Sequence, residues 1–179
     1  MCIRDRLYIS SNQYLNDSFQ LADNIYKSGF EPDIVVGIWR GGSIPAITIH
    51  EYLRYRGIQT TSSVIITKSY NSIGQQTDNV YIDVSNKVLY DLKSADKILI
   101  VDDVLDTGKT IEEIYKFFNM NDIMGVIKIA SVYYKPATSS IFPDYYIHDT
   151  NKWIVFPHEL EGLLPSEVEK KGLNFQNNF

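Results

Sequence analysis

The sequence predicts an α/β fold with a mainly parallel sheet flanked by helices. Three observations carry that expectation. Short apolar runs rich in β-branched residues, at Ile34–Ile38, Val64–Thr67, Lys97–Val101 and Val126–Tyr134, read as strands, the first buried on both faces. Stretches with helical apolar spacing lie between several of them. Two of the runs empty into polar, glycine-bearing segments, and in parallel sheets ligands bind beyond the carboxyl ends of strands.

Residues 1 to 6, Met-Cys-Ile-Arg-Asp-Arg, join no periodic pattern and lack the apolar core of a secretion signal. They resemble translated adaptor peptide and read as a non-native leader, which leaves 7–179 as a single domain. Ser10 and Ser11 precede a helix whose apolar face is Leu15, Phe19, Ala22 and Tyr26, closed by Gly29. The strand Ile34–Ile38 runs into Trp39-Arg40-Gly41-Gly42, and a helix from about Ser43 to Arg56 ends at Gly57. After the strand Val64–Thr67, the polar stretch from Lys68 to Asn79 reads as a long mobile loop. The strand Lys97–Val101 leads through Asp102 to Thr110 into a helix carrying Ile111, Ile114, Tyr115 and Phe118. Beyond Val126–Tyr134, the segments Tyr145–Ile147 and Trp153–Phe156 read as two short strands joined by a turn.

Composition narrows the function. With 44 % hydrophobic and 22 % charged residues the 179-residue chain has ordinary globular composition. Seventeen Lys and Arg against 22 Asp and Glu give a net charge of −5. That balance disfavours broad nucleic-acid binding, which needs clustered cations, but allows a local pocket for a small anion. No apolar run approaches the roughly 20 residues of a membrane helix. The single cysteine, Cys2, excludes a disulfide framework and multi-cysteine metal sites, so a reducing cytoplasm is the expected setting.

Asp102 to Thr110 carries the chemistry. A strand delivers two adjacent carboxylates, and Thr107-Gly108-Lys109-Thr110 opens a helix whose first N–H groups suit a phosphate. Carboxylates cannot hold phosphate; they suit sugar hydroxyls, a reacting proton or magnesium. Gly-Lys-Thr invites a nucleoside-triphosphatase reading, which needs glycine five positions before the Gly-Lys pair. Asp103 stands there, and the reading fails.

An apolar strand, two acids, two variable residues and Asp-Thr-Gly-x-Thr, running from Ile98 to Thr110, resembles the phosphoribosyl-pyrophosphate (PRPP) signature of type I phosphoribosyltransferases. Three more segments fall in family order. Trp39-Arg40-Gly41-Gly42 resembles the pyrophosphate loop, where members often have a cis peptide; the alternative is a strand-ending turn with an exposed arginine. Ser69-Tyr70 resembles the start of the loop that closes over the reacting centre, although the dipeptide is common. Tyr134-Lys135-Pro136 to Lys152-Trp153-Ile154 resembles the base-recognition hood of the hypoxanthine and xanthine-guanine branch. The alternatives are a surface lysine and a core tryptophan. Val155, Phe156, His158 and Glu159 settle on no one subfamily.

The resemblance implies a twisted, mainly parallel sheet with a small C-terminal hood from about residue 135. It implies transfer of the 5-phosphoribosyl group of PRPP to hypoxanthine, guanine or xanthine, releasing pyrophosphate, with Mg2+ as cofactor and a homodimer or homotetramer as assembly. Asp106 is the implied general acid or base at purine N7. Asp102 and Asp103 hold the ribose hydroxyls, and Thr107, Gly108, Lys109 and Thr110 the 5-phosphate. Arg40 and Gly41 receive pyrophosphate, and Ser69 and Tyr70 close over the donor. Lys135 meets the purine 6-oxygen, Trp153 stacks on the ring, and Ile154 is a further base-binding residue. Asp102, Asp103 and Glu159 are the candidate metal ligands. His50, beside Glu51 within a helix, reads as structural, and His158-Glu159 lacks the spacing of a zinc protease. The rivals are a PRPP-binding regulator of the same fold and a phosphoribosyltransferase for another base.

Overall fold

The structure, a computed structural model, describes residues 6–69 and 80–171. In chain order these form β1 (Arg6–Tyr8), α1 (Ser11–Lys27), β2 (Ile34–Trp39), α2 (Ser43–Tyr55), β3 (Thr61–Ser69), β4 (Val80–Asp83) and α3 (Asn86–Ser94). Then follow β5 (Lys97–Leu105), α4 (Lys109–Met120), β6 (Val126–Tyr134), β7 (Tyr145–Asp149), β8 (Trp153–Val155) and α5 (Pro165–Lys170). Six strands make one sheet in the order β4-β3-β2-β5-β6-β7, with β4 alone antiparallel to its neighbour. The sheet is parallel where the sequence pattern required it.

Alternation along the central strands feeds two apolar layers. Val35, Leu99, Val101 and Ala130 pack with Leu21, Ile25, Ile49 and Leu53 of α1 and α2. Ile34, Val36, Ile98, Ile100 and Ile129 pack on the opposite face with Leu92, Ile111, Ile114 and Phe118. Each fully buried aliphatic side chain contributes about 1.5–3 kcal/mol relative to exposure. Asp33 sets the strand entry. Its Oδ2 accepts from the backbone N–H groups of Asp96 and Lys97 at 2.9 and 2.8 Å, tying the start of β2 to that of β5. Ser10 caps α1 by accepting from the Gln13 N–H. Pro45 is tolerated because it lies in the first turn of α2, where no intrahelical donor is lost.

The structure corrects several details. The buried face of α1 is Tyr14, Ser18, Leu21, Ala22 and Ile25, while Leu15 and Phe19 are 45 % and 43 % exposed. Two apolar stripes share Ala22, and polar Asp17 and Ser18 interrupt the one that the sheet covers. Lys68 and Ser69, expected in a loop, continue β3; residues 70–79 lie outside the described set. The strands β7 and β8 are not a hairpin. β7 joins the main sheet parallel to β6, whereas β8 pairs in parallel with β1. Arg6, set aside with the leader, therefore belongs to the fold: it lies opposite Trp153, and its Nη1 donates to Glu167 Oε1 at 2.7 Å. The hood is built from both ends of the described chain. No helix among the described residues is long and apolar enough to cross a membrane.

Candidate active site

Adjacent parallel strands bring their following loops together. β2 and β5 pair as far as Gly37 and Val101, so the segment after Trp39 meets the acids that follow Val101 in β5. An ideal Cβ built on Gly41 would lie 2.1 Å from Asp103 Oδ2, and one on Gly42 would lie 2.2 Å from the Val101 carbonyl oxygen. Only glycines fit this approach. The Trp39–Arg40 peptide is cis, and the Tyr14 hydroxyl donates to the Gly41 carbonyl at 3.3 Å. On the other side of Asp103, Gly108 caps α4 with φ +87°, a left-handed conformation that suits glycine. A Cβ there would lie 2.8 Å from Ser140 Oγ.

The acids sit in poor solvent. Burial pushes the Asp102 carboxyl well above the usual range, reinforced by the charge of Asp103. Burial likewise pushes Asp103 up to about 6, against the Val104 N–H, which donates to its Oδ1 at 2.7 Å. His158 of the hood faces Asp103, with Nε2 4.0 Å from Oδ2, and stacks on Phe156 at 5.7 Å between centroids. Burial lowers the His158 pKa, so both groups lean toward their neutral forms.

The register of β5 and β6 creates the second feature. Leu105 pairs with Tyr134, so the next residues, Asp106 and Lys135, emerge side by side. Lys135 Nζ donates to Asp106 Oδ2 at 2.6 Å and lies 5.7 Å from the centre of the Trp153 ring. The Lys135 side chain is only 12 % exposed, which excludes a free surface lysine. Trp153 is 52 % exposed, which excludes a core tryptophan. A donor, an acceptor and an aromatic ring thus converge at the carboxyl ends of β5 and β6. A cleft of about 510 Å³ adjoins them, lined by Arg6, Arg40, Trp153, Val155, His158, Glu159 and residues 160–163. It opens between the Arg40 loop and the hood; the Asp102–Thr110 segment borders the site without lining that cleft.

The family model of the phosphoribosyl transferase domain matches residues 10–161. The chain belongs to this family. Xanthine-guanine phosphoribosyltransferase from Cereibacter sphaeroides is 33 % identical over 160 residues, which cover 86 % of each chain. That of a Ruegeria species is 32 % identical over 168 residues, covering 86 % of this chain and 85 % of the relative. The crystal structure of a purine phosphoribosyltransferase from Pyrococcus horikoshii superposes with a TM-score of 0.71 at 34 % identity, covering 89 % of this chain and 98 % of that one.

Within this phosphoribosyltransferase domain, the structure brings together most residues singled out from sequence. Gly41, Asp102 and Asp103 meet at the ends of β2 and β5, Asp106 and Lys135 form a pair, and Thr107 to Thr110 start α4. Thr107 Oγ1 accepts from the Lys109 N–H at 3.4 Å. Arg40 is exposed and reaches across the cleft to Glu161, 3.4 Å away. Ser69 ends β3, and Tyr70 lies outside the described residues. Two expectations change. The Ile154 side chain, 6 % exposed, packs in the core beside Phe156, so only its backbone is left to face a ligand. Glu159 turns back to accept from the Phe156 N–H at 3.1 Å, and among the described residues no three His, Cys, Asp or Glu side chains form a cation cage. His50 is structural as expected, its Nε2 lying 3.2 Å from the Thr60 carbonyl.

Sequence reasoning missed Thr138, Ser140 and the approach of His158 to Asp103. The Ser140 N–H donates to the Thr107 carbonyl at 3.0 Å, and its Oγ lies 2.7 Å from Glu112 Oε1 and 3.1 Å from the same carbonyl, with the carboxylate the favoured acceptor for its one proton, stapling the turn after β6 onto the phosphate loop and α4. A Thr-Ser-Ser run three residues after Lys135 was the available signal.

Proposed function

We propose that this enzyme transfers the 5-phosphoribosyl group of PRPP to a 6-oxopurine, releasing pyrophosphate. One observation carries the reading: the Asp106–Lys135 pair, with Nζ and Oδ2 2.6 Å apart beside the exposed face of Trp153. A 6-oxopurine presents N7–H and its 6-oxygen on the same edge. An ionised Asp106 accepts from the first, and the lysine, which has three donors, binds the second while keeping its contact to the carboxylate. Trp153 offers a flat apolar surface to the ring. Relatives named for xanthine, guanine and purine transfer support the same choice.

The remaining roles follow from place. The first-turn N–H groups of α4, with Gly108 clearing the approach and Thr107, Lys109 and Thr110 around it, bind the 5-phosphate. Asp102 and Asp103 take the ribose 2- and 3-hydroxyls. Arg40 and the Gly41 backbone receive pyrophosphate at the mouth of the cleft. Asp102 and Asp103 are adjacent carboxyls whose burial disfavours charge, and a divalent cation arriving with the donor's phosphates would favour their ionised forms, in which they could serve as oxygen ligands. Held by Asp102 and Asp103, Mg2+ would supply positive charge to offset that of the departing pyrophosphate. Asp106 takes the N7 proton as the glycosidic bond forms. The reading places the enzyme in purine salvage in the cytoplasm, as a homodimer or homotetramer.

The test is direct. The protein is incubated with PRPP, magnesium and, separately, hypoxanthine, guanine, xanthine, adenine and uracil, and pyrophosphate release is measured. Release with one or more of the first three at rates well above adenine and uracil is expected. PRPP binding without release for any base would indicate a regulator instead, and preference for adenine or uracil would overturn the base assignment.

A further inference from the structure

We propose that Thr138 is a positioning residue for Asp106, whose single hydroxyl serves both protonation states of that carboxyl. The inference rests on the reading of Asp106 as the acid/base group. Thr138 Oγ1 lies 2.8 Å from Asp106 Oδ1 and 2.9 Å from the Asp106 carbonyl oxygen. A hydroxyl has one proton to donate and lone pairs to accept with. Facing an ionised Asp106, it donates to Oδ1, since a hydrogen bond to a charged acceptor is the stronger of the two. Once Oδ1 is protonated, the roles reverse. The acid O–H donates to Thr138 Oγ1, and the threonine proton turns to the Asp106 carbonyl, where an acceptor already waits. Oδ2 cannot hold the proton in this way, because it faces the Lys135 ammonium, which has no acceptor.

During transfer the purine N7–H bond breaks and an Oδ1–H bond forms. The electron pair stays in the ring and supplies the new bond to ribose C1, as the bond from C1 to pyrophosphate breaks and its electrons leave with pyrophosphate. Only hydrogens move around Asp106, because the heavy atoms are held elsewhere. The Thr138 N–H donates to the Lys135 carbonyl at 3.2 Å, the Ala137 N–H to Asn151 Oδ1 at 3.2 Å, and the Ser140 N–H to the Thr107 carbonyl at 3.0 Å. A carboxyl that must cycle between acid and base gains from partners that need no rearrangement.

The test measures kcat, KM for PRPP and hypoxanthine, and thermal stability for Thr138→Val and Thr138→Ser, each in the wild type and in Asp106→Asn. Thr138 is exposed, and its turn is anchored by backbone donors, so both variants keep the fold. Expected is a loss of about tenfold in kcat for Thr138→Val, on the scale of one hydrogen bond to a charged group, with KM for PRPP within about twofold. Thr138→Ser restores kcat, and Thr138→Val on top of Asp106→Asn has less than about a twofold further effect. Wild-type kcat in Thr138→Val overturns the proposal, as does an equal loss in both backgrounds, a loss confined to KM, or failure of serine to rescue. Wild-type kcat in Asp106→Asn alone overturns the underlying assignment of Asp106 instead, and that variant leaves Thr138 untouched.

Discussion

Replacing Gly41 by alanine should injure catalysis far more than folding. The added methyl would lie 2.1 Å from Asp103 Oδ2 and 2.4 Å from its Cγ, where ordinary contact begins at 3.4 Å. The carboxylate must therefore withdraw by about 1.3 Å, since the turn that carries Gly41 is held by the Gly42 N–H on the Ile38 carbonyl and the Tyr14 hydroxyl on the Gly41 carbonyl. It has little room to do so gracefully: its side chain is 13 % exposed, and Oδ1 is held by the Val104 N–H. Displacing a substrate-positioning group by about 1 Å costs on the order of 10²-fold in rate. Gly41 is not in the left-handed region, so alanine adds no backbone strain. A side-chain shift of this kind costs about 1 kcal/mol, or about 2–4 °C in Tm for a chain of this size. Gly42→Ala is the counterpart. Its methyl would meet the Val101 carbonyl oxygen at 2.2 Å, and a central-strand backbone cannot retreat, so that variant should lose the fold. Steady-state kinetics with PRPP and thermal melts on both proteins decide the matter. Gly41→Ala with kcat/KM within about threefold of wild type, or Gly42→Ala melting like wild type, would refute the argument.

Gly108→Val adds strain at φ +87° and drives a methyl into Ser140, so calorimetric affinity for PRPP should fall sharply; unchanged affinity would remove the phosphate-cradle assignment. Lys135→Met should lower kcat/KM for 6-oxopurines by about 10²-fold while changing adenine little, because the lysine matches only an acceptor at position 6. Trp153→Ala should weaken all purines together and preserve their ranking; an unchanged ranking in Lys135→Met would place base selection elsewhere. Asp103 titrates at about 6 when folded against 3.8 as its ordinary value, so ionising it penalises the folded state progressively between those pH values and fully above about 6. Asp103→Asn should therefore melt above wild type at pH 7, with the gap closing toward pH 4. Melting curves whose gap is independent of pH would contradict the burial argument.

Much of this was legible in the residues. Apolar runs rich in β-branched residues announced β2, β5 and β6, because strands buried on both faces must be almost continuously apolar. The short helix α3 and the strand β4 were not announced. Among α3 residues only Leu92 is fully buried, so its apolar period is weak. The stripe on α1 was misread because two overlapping apolar faces share Ala22, and only contact with the sheet selects between them.

The site divides along the same line. Local chain chemistry determined the phosphate loop: two acids, a glycine and the start of a helix lie within nine consecutive residues, so their arrangement needs nothing distant. Strand register decided the rest. Asp106 and Lys135 meet because Leu105 is opposite Tyr134, Thr138 reaches Asp106 because the turn after β6 folds over the end of β5, and Gly41 touches Asp103 because β2 neighbours β5. Trp153 is held over that pair by a strand from the other end of the chain, β1. Which partner a strand takes, and in what register, depends on burying both faces of the whole sheet at once. That is a property of the packed molecule, and no single segment carries it.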